Sequence, residues 1–187
     1  MVITDTHVFF YGSIFSQWGD APFRDREGNN FFTAEHFMMY HKAKCFDDKE
    51  MMEKILKERS PKAVKAFGRQ VKNFNKEKWE KIAMPVVILG NYLKFNNDKL
   101  RPQILEHKDR FFVEASPYDR IWGIGLAVND DKIFDRRNWR GTNWLGESLD
   151  VAKSLIINEF SDIPGALRST ETSLFLLEQL LYSQKKA

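Results

Sequence analysis

Glu35 and Lys42 lie seven residues apart in Thr33-Ala-Glu-His-Phe-Met-Met-Tyr-His-Lys42, and Asp119 opens the run Asp119-Arg-Ile-Trp-Gly-Ile-Gly-Leu126. Seven residues are nearly two helical turns, so the acid and the amine project the same way from one helix, roughly 10 Å apart along its axis. Acids and a cation near tryptophans and glycines suit cleavage of a glycosidic bond to a base. That reaction builds oxocarbenium character on the sugar, which a carboxylate stabilises or answers with an activated water, while an aromatic plate holds the leaving base. The lysine offers a second route, Schiff-base formation with an opened sugar aldehyde. Gly141-Thr-Asn143 precedes a helical pattern, and free backbone N–H groups there suit a phosphate.

Each of these residues also has a plainer use. An acid in a first helical turn complements the helix dipole, Asn143 is an ordinary helix cap, and Asp119-Arg120 reads as a turn acid with its partner. Trp79 and Trp122 fit a core as well as a binding pocket. Metal chemistry is poorly supported. His36 and His41 are five residues apart and do not align on a helix face, and the aligned pair His41 and Cys45 has no third ligand at a recognised spacing. No serine sits in a nucleophile elbow. Gly123-Ile-Gly125 lacks the third glycine and following helix of a dinucleotide fingerprint. Neither metal nor cofactor is expected.

The elements that must position these groups follow from capping and periodicity. Thr33 caps a predicted helix to about Lys44, Asp47 or Asp48 starts a second, and Ser60-Pro61 starts a third that Gly68 ends. Residues 76–95 carry apolar residues at helical spacing, with a kink or break predicted near Met84 because of Pro85. A short helix is predicted from about Leu100 to His107. Residues 111–115 read as a strand, and Ile121–Val128 as its antiparallel partner, with Ile121, Gly123 and Gly125 making one nearly bare face. The two glycines are expected to admit the helix carrying Glu35 and Lys42. A helix follows Gly146, Pro164-Gly165 breaks it, and a last amphipathic helix is predicted over 167–183. The fold class predicted is α+β: one mostly α-helical domain over residues 1–187 with a small antiparallel β-sheet.

A chain of 187 residues is long enough to bury a core without covalent staples, and its single cysteine excludes an internal disulfide. No apolar run is long enough to span a bilayer and the start lacks a signal-peptide pattern, so a soluble, cytoplasmic protein without a membrane partner is expected. A net charge of +3 permits an anionic substrate without the dense basic stripe of a non-specific DNA binder.

The motifs occur together in a familiar order: Phe10-Tyr-Gly12 with Phe15-Ser16; Thr33-Ala-Glu-His-Phe37 with Lys42-Ala43; Gly68-Arg69 with Trp79; Glu114-Ala-Ser-Pro-Tyr-Asp119 with Ile121-Trp-Gly-Ile-Gly-Leu126; and Trp139-Arg-Gly-Thr-Asn-Trp-Leu-Gly146. In this the chain resembles the NADAR, or YbiA-like, family over about residues 8–157, leaving a C-terminal extension over 165–187 outside the resemblance. The resemblance implies a mostly helical α+β fold and N-glycosidase activity, a hydrolase acting on N-glycosyl compounds. Implied substrates are aminopyrimidine ribosyl phosphates of riboflavin biosynthesis, or ADP-ribosylated guanine, free or in nucleic acid. It implies catalytic roles for Glu35, Lys42 and Asp119, a base pocket walled by Trp79 and Trp122, and ribose-phosphate contacts from Asn143, Gly146 and Arg69. The rival reading is a module that binds ADP-ribose or NAD without turnover. Trp144 inside the Asn-Leu-Gly segment and Pro85 depart from the family pattern and bear on pocket shape.

Overall fold

The computed structural model describes residues 1–159. The predicted break at Pro164-Gly165, the helix over 167–183 and the 165–187 extension lie outside the described residues.

Helix α1 (Ala34–Cys45) runs through the middle of the molecule. The Thr33 hydroxyl accepts the His36 N–H at its start, and every residue from Ala34 to His41 is buried. A helix apolar on one stripe lies at a surface, whereas one covered on all sides must be packed by neighbours all round. Three helices supply that cover. Helix α2 (Lys49–Lys57) starts at Asp48, α3 (Pro61–Gly68) at Ser60, and α4 (Lys76–Phe95) at Asn75, each side chain accepting a backbone N–H of its first turn. The close approach needs two glycines: a Cβ at Gly68 would collide with the Met39 side chain, and one at Gly90 would lie 2.8 Å from the Phe37 ring. Helix α4 continues unbroken through Pro85, where a break near Met84 was a predicted alternative. The carbonyl left unbonded by the proline is that of Lys81, an exposed residue where water can take its place. Helix α5 (Arg101–Leu105) leads to the strand that follows.

Strands β1 (Val2–Ile3), β2 (His7–Phe10) and β5 (Phe111–Glu114) form a sheet in that order, while β3 (Phe23–Arg24) and β4 (Asn30–Phe31) make a separate antiparallel hairpin. The α+β, mostly helical class is as expected, but the main sheet is mixed. β1 runs antiparallel to β2, and β2 runs parallel to β5 with His7 opposite Phe111 and Phe10 opposite Glu114. Ile121–Val128 is not the partner of β5. Asp119 accepts the N–H groups of Ile121 and Trp122, and Gly125 takes a positive φ of 69°, so the segment folds into successive turns.

Alternation divides the sheet's residues. Val8, Phe10 and Phe112 join the main core with α1, α4 and α6 (Trp144–Glu159), whereas Phe9, Val113 and Ala115 meet Ile124, Leu126 and Ile133 in a smaller core on the other face. Two 3-10 turns, Asp131–Phe134 and Arg136–Asn138, help close that second face. Helix α6 is fastened to β5 by side chains. The Asn143 carboxamide accepts from Glu114 N at 2.9 Å and donates to Phe112 O at 3.0 Å, replacing a missing strand neighbour. Farther along α6, Asp150 accepts the Phe112 N–H, and buried Lys153 pairs with Asp150 and donates to the carbonyls of Arg110 and His107. No helix among the described residues is long and apolar enough to cross a membrane.

Candidate active site

β2 and β5 are parallel, so their carboxyl ends, Phe10 and Glu114, lie side by side, and the loops that leave them rise from one edge. In open sheets ligands favour the carboxyl ends of parallel strands, because the outgoing loops diverge there. The loop after β2 carries Trp18 and the loop after β5 carries Asp119 and Trp122. The first turn of α1 meets the first loop directly: Glu35 N donates to Gln17 O at 2.9 Å.

Glu35 is 5% exposed, and the Trp18 indole stands close enough to its carboxyl group to lower its pKa. Burial raises its pKa above the ordinary carboxylate value. The negative charge of Asp119 adds to the rise, while Lys65, the Trp18 indole and Lys42 oppose it. Lys42 is half-buried, its ammonium 4.1 Å from the centre of the Phe74 ring. Burial lowers its pKa, with Arg69 adding to the fall and Glu35 opposing it. Glu35 thus feels both Lys42 and Asp119, and Lys42 feels Arg69. Arg69 stands at the C-terminal cap of α3, one helix away from α1.

Asp119 is half-buried, and its Oδ1 is fixed at 2.9 Å from Ile121 N and 2.8 Å from Trp122 N. Trp122 stands beside it and meets Trp144 edge-on, ring centres 5.7 Å apart. The other sequence candidates are placed by packing. Trp79 is buried in the main core on α4. Asn143 gives its carboxamide to β5, and a Cβ at Gly146 would collide with the Phe112 carbonyl, so this glycine lets α6 seat against the strand. Gly123 and Gly125 do not face α1. A Cβ at Gly123 would lie 2.8 Å from Glu114 O, and one at Gly125 would meet Arg140 at 3.0 Å. The glycines admit the end of β5 and the loop before α6.

Three residues that the sequence did not single out belong to the same neighbourhood. Trp18 and Lys65 act on Glu35 directly, and Lys65 lies 5.8 Å from the Trp18 ring centre. Glu114, 6% exposed, has a pKa raised to about 8, first by burial and then by Asp119, and its Oε2 has no hydrogen-bond partner among the described residues. Only Glu114 left a trace in the sequence: an acid two residues after Phe112 in a strand-like run falls on the inward face. The two histidines weighed as metal ligands are otherwise engaged. His36 bridges Thr33 Oγ1 and the Glu58 carbonyl, and His41 packs against the rings of Phe37 and Tyr40. Among the described residues no group of three or more His, Cys, Asp or Glu is placed to hold a metal ion.

Residues 9–156, which contain β5, the carboxyl end of β2 and all of these groups, match the profile of the NADAR domain. The chain belongs to the NADAR family. Its NADAR domain is similar to a protein named N-glycosidase R617 from Acanthamoeba polyphaga mimivirus, 38% identical over 78% of this chain and 94% of that one. It is also similar to Protein irg-1 of Caenorhabditis elegans, 36% identical over 80% of this chain and 79% of the relative. Among solved structures, the NMR structure of YbiA from E. coli superimposes with a TM-score of 0.67 at 25% identity, covering 87% of this chain and 92% of YbiA. The arrangement of β2, β5, α1 and α4 is therefore that of a YbiA-like NADAR domain.

Proposed function

We propose that this chain is an N-glycosidase that hydrolyses the bond between a nucleobase-like group and the ribose of a phosphate-bearing substrate, with Glu35 as the catalytic carboxyl group. The observation that carries this reading is the setting of Glu35: an acid 5% exposed at the first turn of α1, its N–H bonded to Gln17 O, its pKa raised by burial, and Lys65, Lys42, Asp119 and the Trp18 indole around it. A 38% identical relative named an N-glycosidase supports the reaction class.

In the reaction the C1′–N bond breaks with its electron pair passing to the base, and the Glu35 carboxyl supplies the proton that makes the base a good leaving group. The Asp119 carboxylate stabilises the positive charge on the sugar. Water then adds to C1′ and gives its proton to the Glu35 carboxylate, regenerating the acid. Lys42, Lys65 and Arg69 hold the phosphate end, and Trp122 with Trp18 bounds the base. The substrates proposed are an aminopyrimidine ribosyl phosphate and ADP-ribosylated guanine, the latter free or in nucleic acid. Burial also favours the neutral amine of Lys42, the form needed for a Schiff base with an opened ribose. Borohydride trapping of a ribose adduct on Lys42 separates that route from direct hydrolysis.

The test is incubation with 5-amino-6-ribosylaminouracil 5′-phosphate and, separately, with DNA bearing ADP-ribosylated guanine, scoring released ribose phosphate and restored guanine. Turnover by the wild type, lost in Glu35→Gln and unaffected by a chelator, is expected. Binding of ADP-ribose with no turnover of either substrate would instead make the protein a non-catalytic reader.

A further inference from the structure

Lys94 is fully buried on α4, and among the described residues no carboxylate accompanies it. Burying a cation without a partner is costly, and a lysine with no task could be replaced by an apolar side chain of similar volume at no loss. Its Nζ donates at 2.9 Å to a single carbonyl, that of Ser16. Burial alone brings its pKa down to about 7, and both its ammonium and amine forms can donate this hydrogen bond.

Ser16 is the hub of the loop that follows β2. The carbonyl held by Lys94 also accepts Gly19 N at 3.1 Å, the Ser16 hydroxyl accepts Trp18 N at 3.4 Å, and Ser16 N donates to Ser13 O at 3.0 Å. The turn is closed tightly, since a Cβ at Gly19 would lie 2.9 Å from Ile14 O. The next two residues deliver the loop to the acid: Gln17 O accepts the Glu35 N–H at 2.9 Å, and the Trp18 indole comes near enough to the Glu35 carboxyl to lower its pKa. Trp18 itself is 45% exposed, with the Lys65 ammonium 5.8 Å from its ring centre. One turn before Lys94, Asn91 accepts from Gln17 Nε2 at 3.3 Å. In the same layer Gln17 Oε1 has no partner among the described residues, and Lys94 bonds the Ser16 carbonyl rather than that oxygen.

We propose that Lys94 is a positioning residue for the catalytic acid: by holding the Ser16 carbonyl from the core side, it fixes the turn that presents the Trp18 indole to Glu35. The inference rests on reading Glu35 as the catalytic carboxyl, and it extends the site from α1 and the sheet edge to the interior of α4. The charged groups facing Glu35 are Lys42 on its own helix, Lys65 on α3 and Asp119 after β5. All three remain when Lys94 is changed, so a displaced Glu35 titration in a Lys94 variant reports the lost Trp18 contact.

The experiment uses the full chain with nitrogen-15 label, the Trp18 indole N–H signal being assigned by its loss in Trp18→Phe. In Lys94→Met, hydrogen exchange at that indole is expected to quicken about tenfold, the size of one lost hydrogen bond, and the signal no longer follows the titration of Glu35. In kinetics, the limb of the pH profile at which Glu35 loses its proton moves to higher pH, because the indole that lowers its pKa is no longer held beside it. Trp18→Phe moves the limb the same way, and the double variant moves it no farther than either single change. Lys153→Met, which removes the other buried lysine that serves carbonyls, is expected to lower stability and leave the Trp18 signal unchanged. If Lys94→Met does not fold, Lys94→Gln, too short to reach Ser16, reads the same indole signal. An unchanged indole in a folded Lys94 variant, or additive shifts in the double variant, overturns the proposal. The indole measurement needs no substrate. Retained turnover in Glu35→Gln would therefore refute the catalytic reading, whatever the indole shows.

Discussion

Two buried carboxyl groups stand at opposite sides of the candidate site, Glu35 at the start of α1 and Glu114 at the end of β5. Burial raises the pKa of both and Asp119 raises it further in both. They differ in what answers the acid. Around Glu35 stand two lysines and an indole N–H, groups that support the carboxylate once its proton has left. Among the described residues Glu114 has no such counterweight, and one of its oxygens has no hydrogen-bond partner. Burial alone therefore makes an acid that keeps its proton, whereas a working acid also needs groups that let it give the proton up.

Replacing each acid by its amide tests that contrast. Glu35→Gln is expected to lower kcat by roughly a hundred- to ten-thousand-fold with KM little changed, the usual size of a general acid's contribution, read by steady-state release of base. Glu114→Gln is expected to act mainly on stability. The folded pKa of Glu114 is about 8, above its unfolded value. Between about pH 4.5 and 8 the unfolded chain ionises this group while the folded protein does not, so its contribution to stability is intact below that window and is lost as pH rises through it. The loss is on the order of 5 kcal/mol. Urea unfolding across that window should show the wild type losing stability relative to Glu114→Gln. A pH-independent difference would remove the buried proton from the account.

Asp119→Asn tests what the two acids share. Removing that charge should lower both titrations, the Glu35 limb in kinetics and the Glu114 window in unfolding; movement of one alone would break the link between the two sides. The smallest expected effect separates the lysines. Loss of either cation raises the pKa of Glu35 and moves its limb upward, and Lys65→Met should move it farther than Lys42→Met, following the order of their influence.

Much of this frame is legible in the sequence because it is local. Thr33, Asp48 and Ser60-Pro61 mark helix starts by side chains that accept N–H groups three residues on, and the seven-residue spacing puts Glu35 and Lys42 on one side of α1. What was not legible depends on distant partners. The segment from Ile121 has strand alternation, but the carboxylate of Asp119 and the positive φ of Gly125 fold it into turns. The parallel pairing of β2 with β5 leaves no trace in either strand, since an antiparallel neighbour would ask for the same residues. Trp18 and Lys65 reach Glu35 across the fold, with no nearby spacing to reveal them. Gly123, read as an approach site for α1, makes room at the end of β5 instead, and the carboxamide of Asn143, read as a cap and a ribose-phosphate contact, ties that strand to α6.

The parallel pairing of β2 with β5 also has a consequence in time. Its two strands are about a hundred residues apart in the chain, with His7 opposite Phe111. Helices α1 to α4 can collect while β2 still waits for its partner, and closing so long a loop is a slow, late step. The loops bearing Trp18 and Asp119 are brought together only by that closure. A chain emerging from the ribosome would thus hold a nearly complete helical core before the loops around Glu35 came together, and recovery of activity after dilution from denaturant should lag behind recovery of helix.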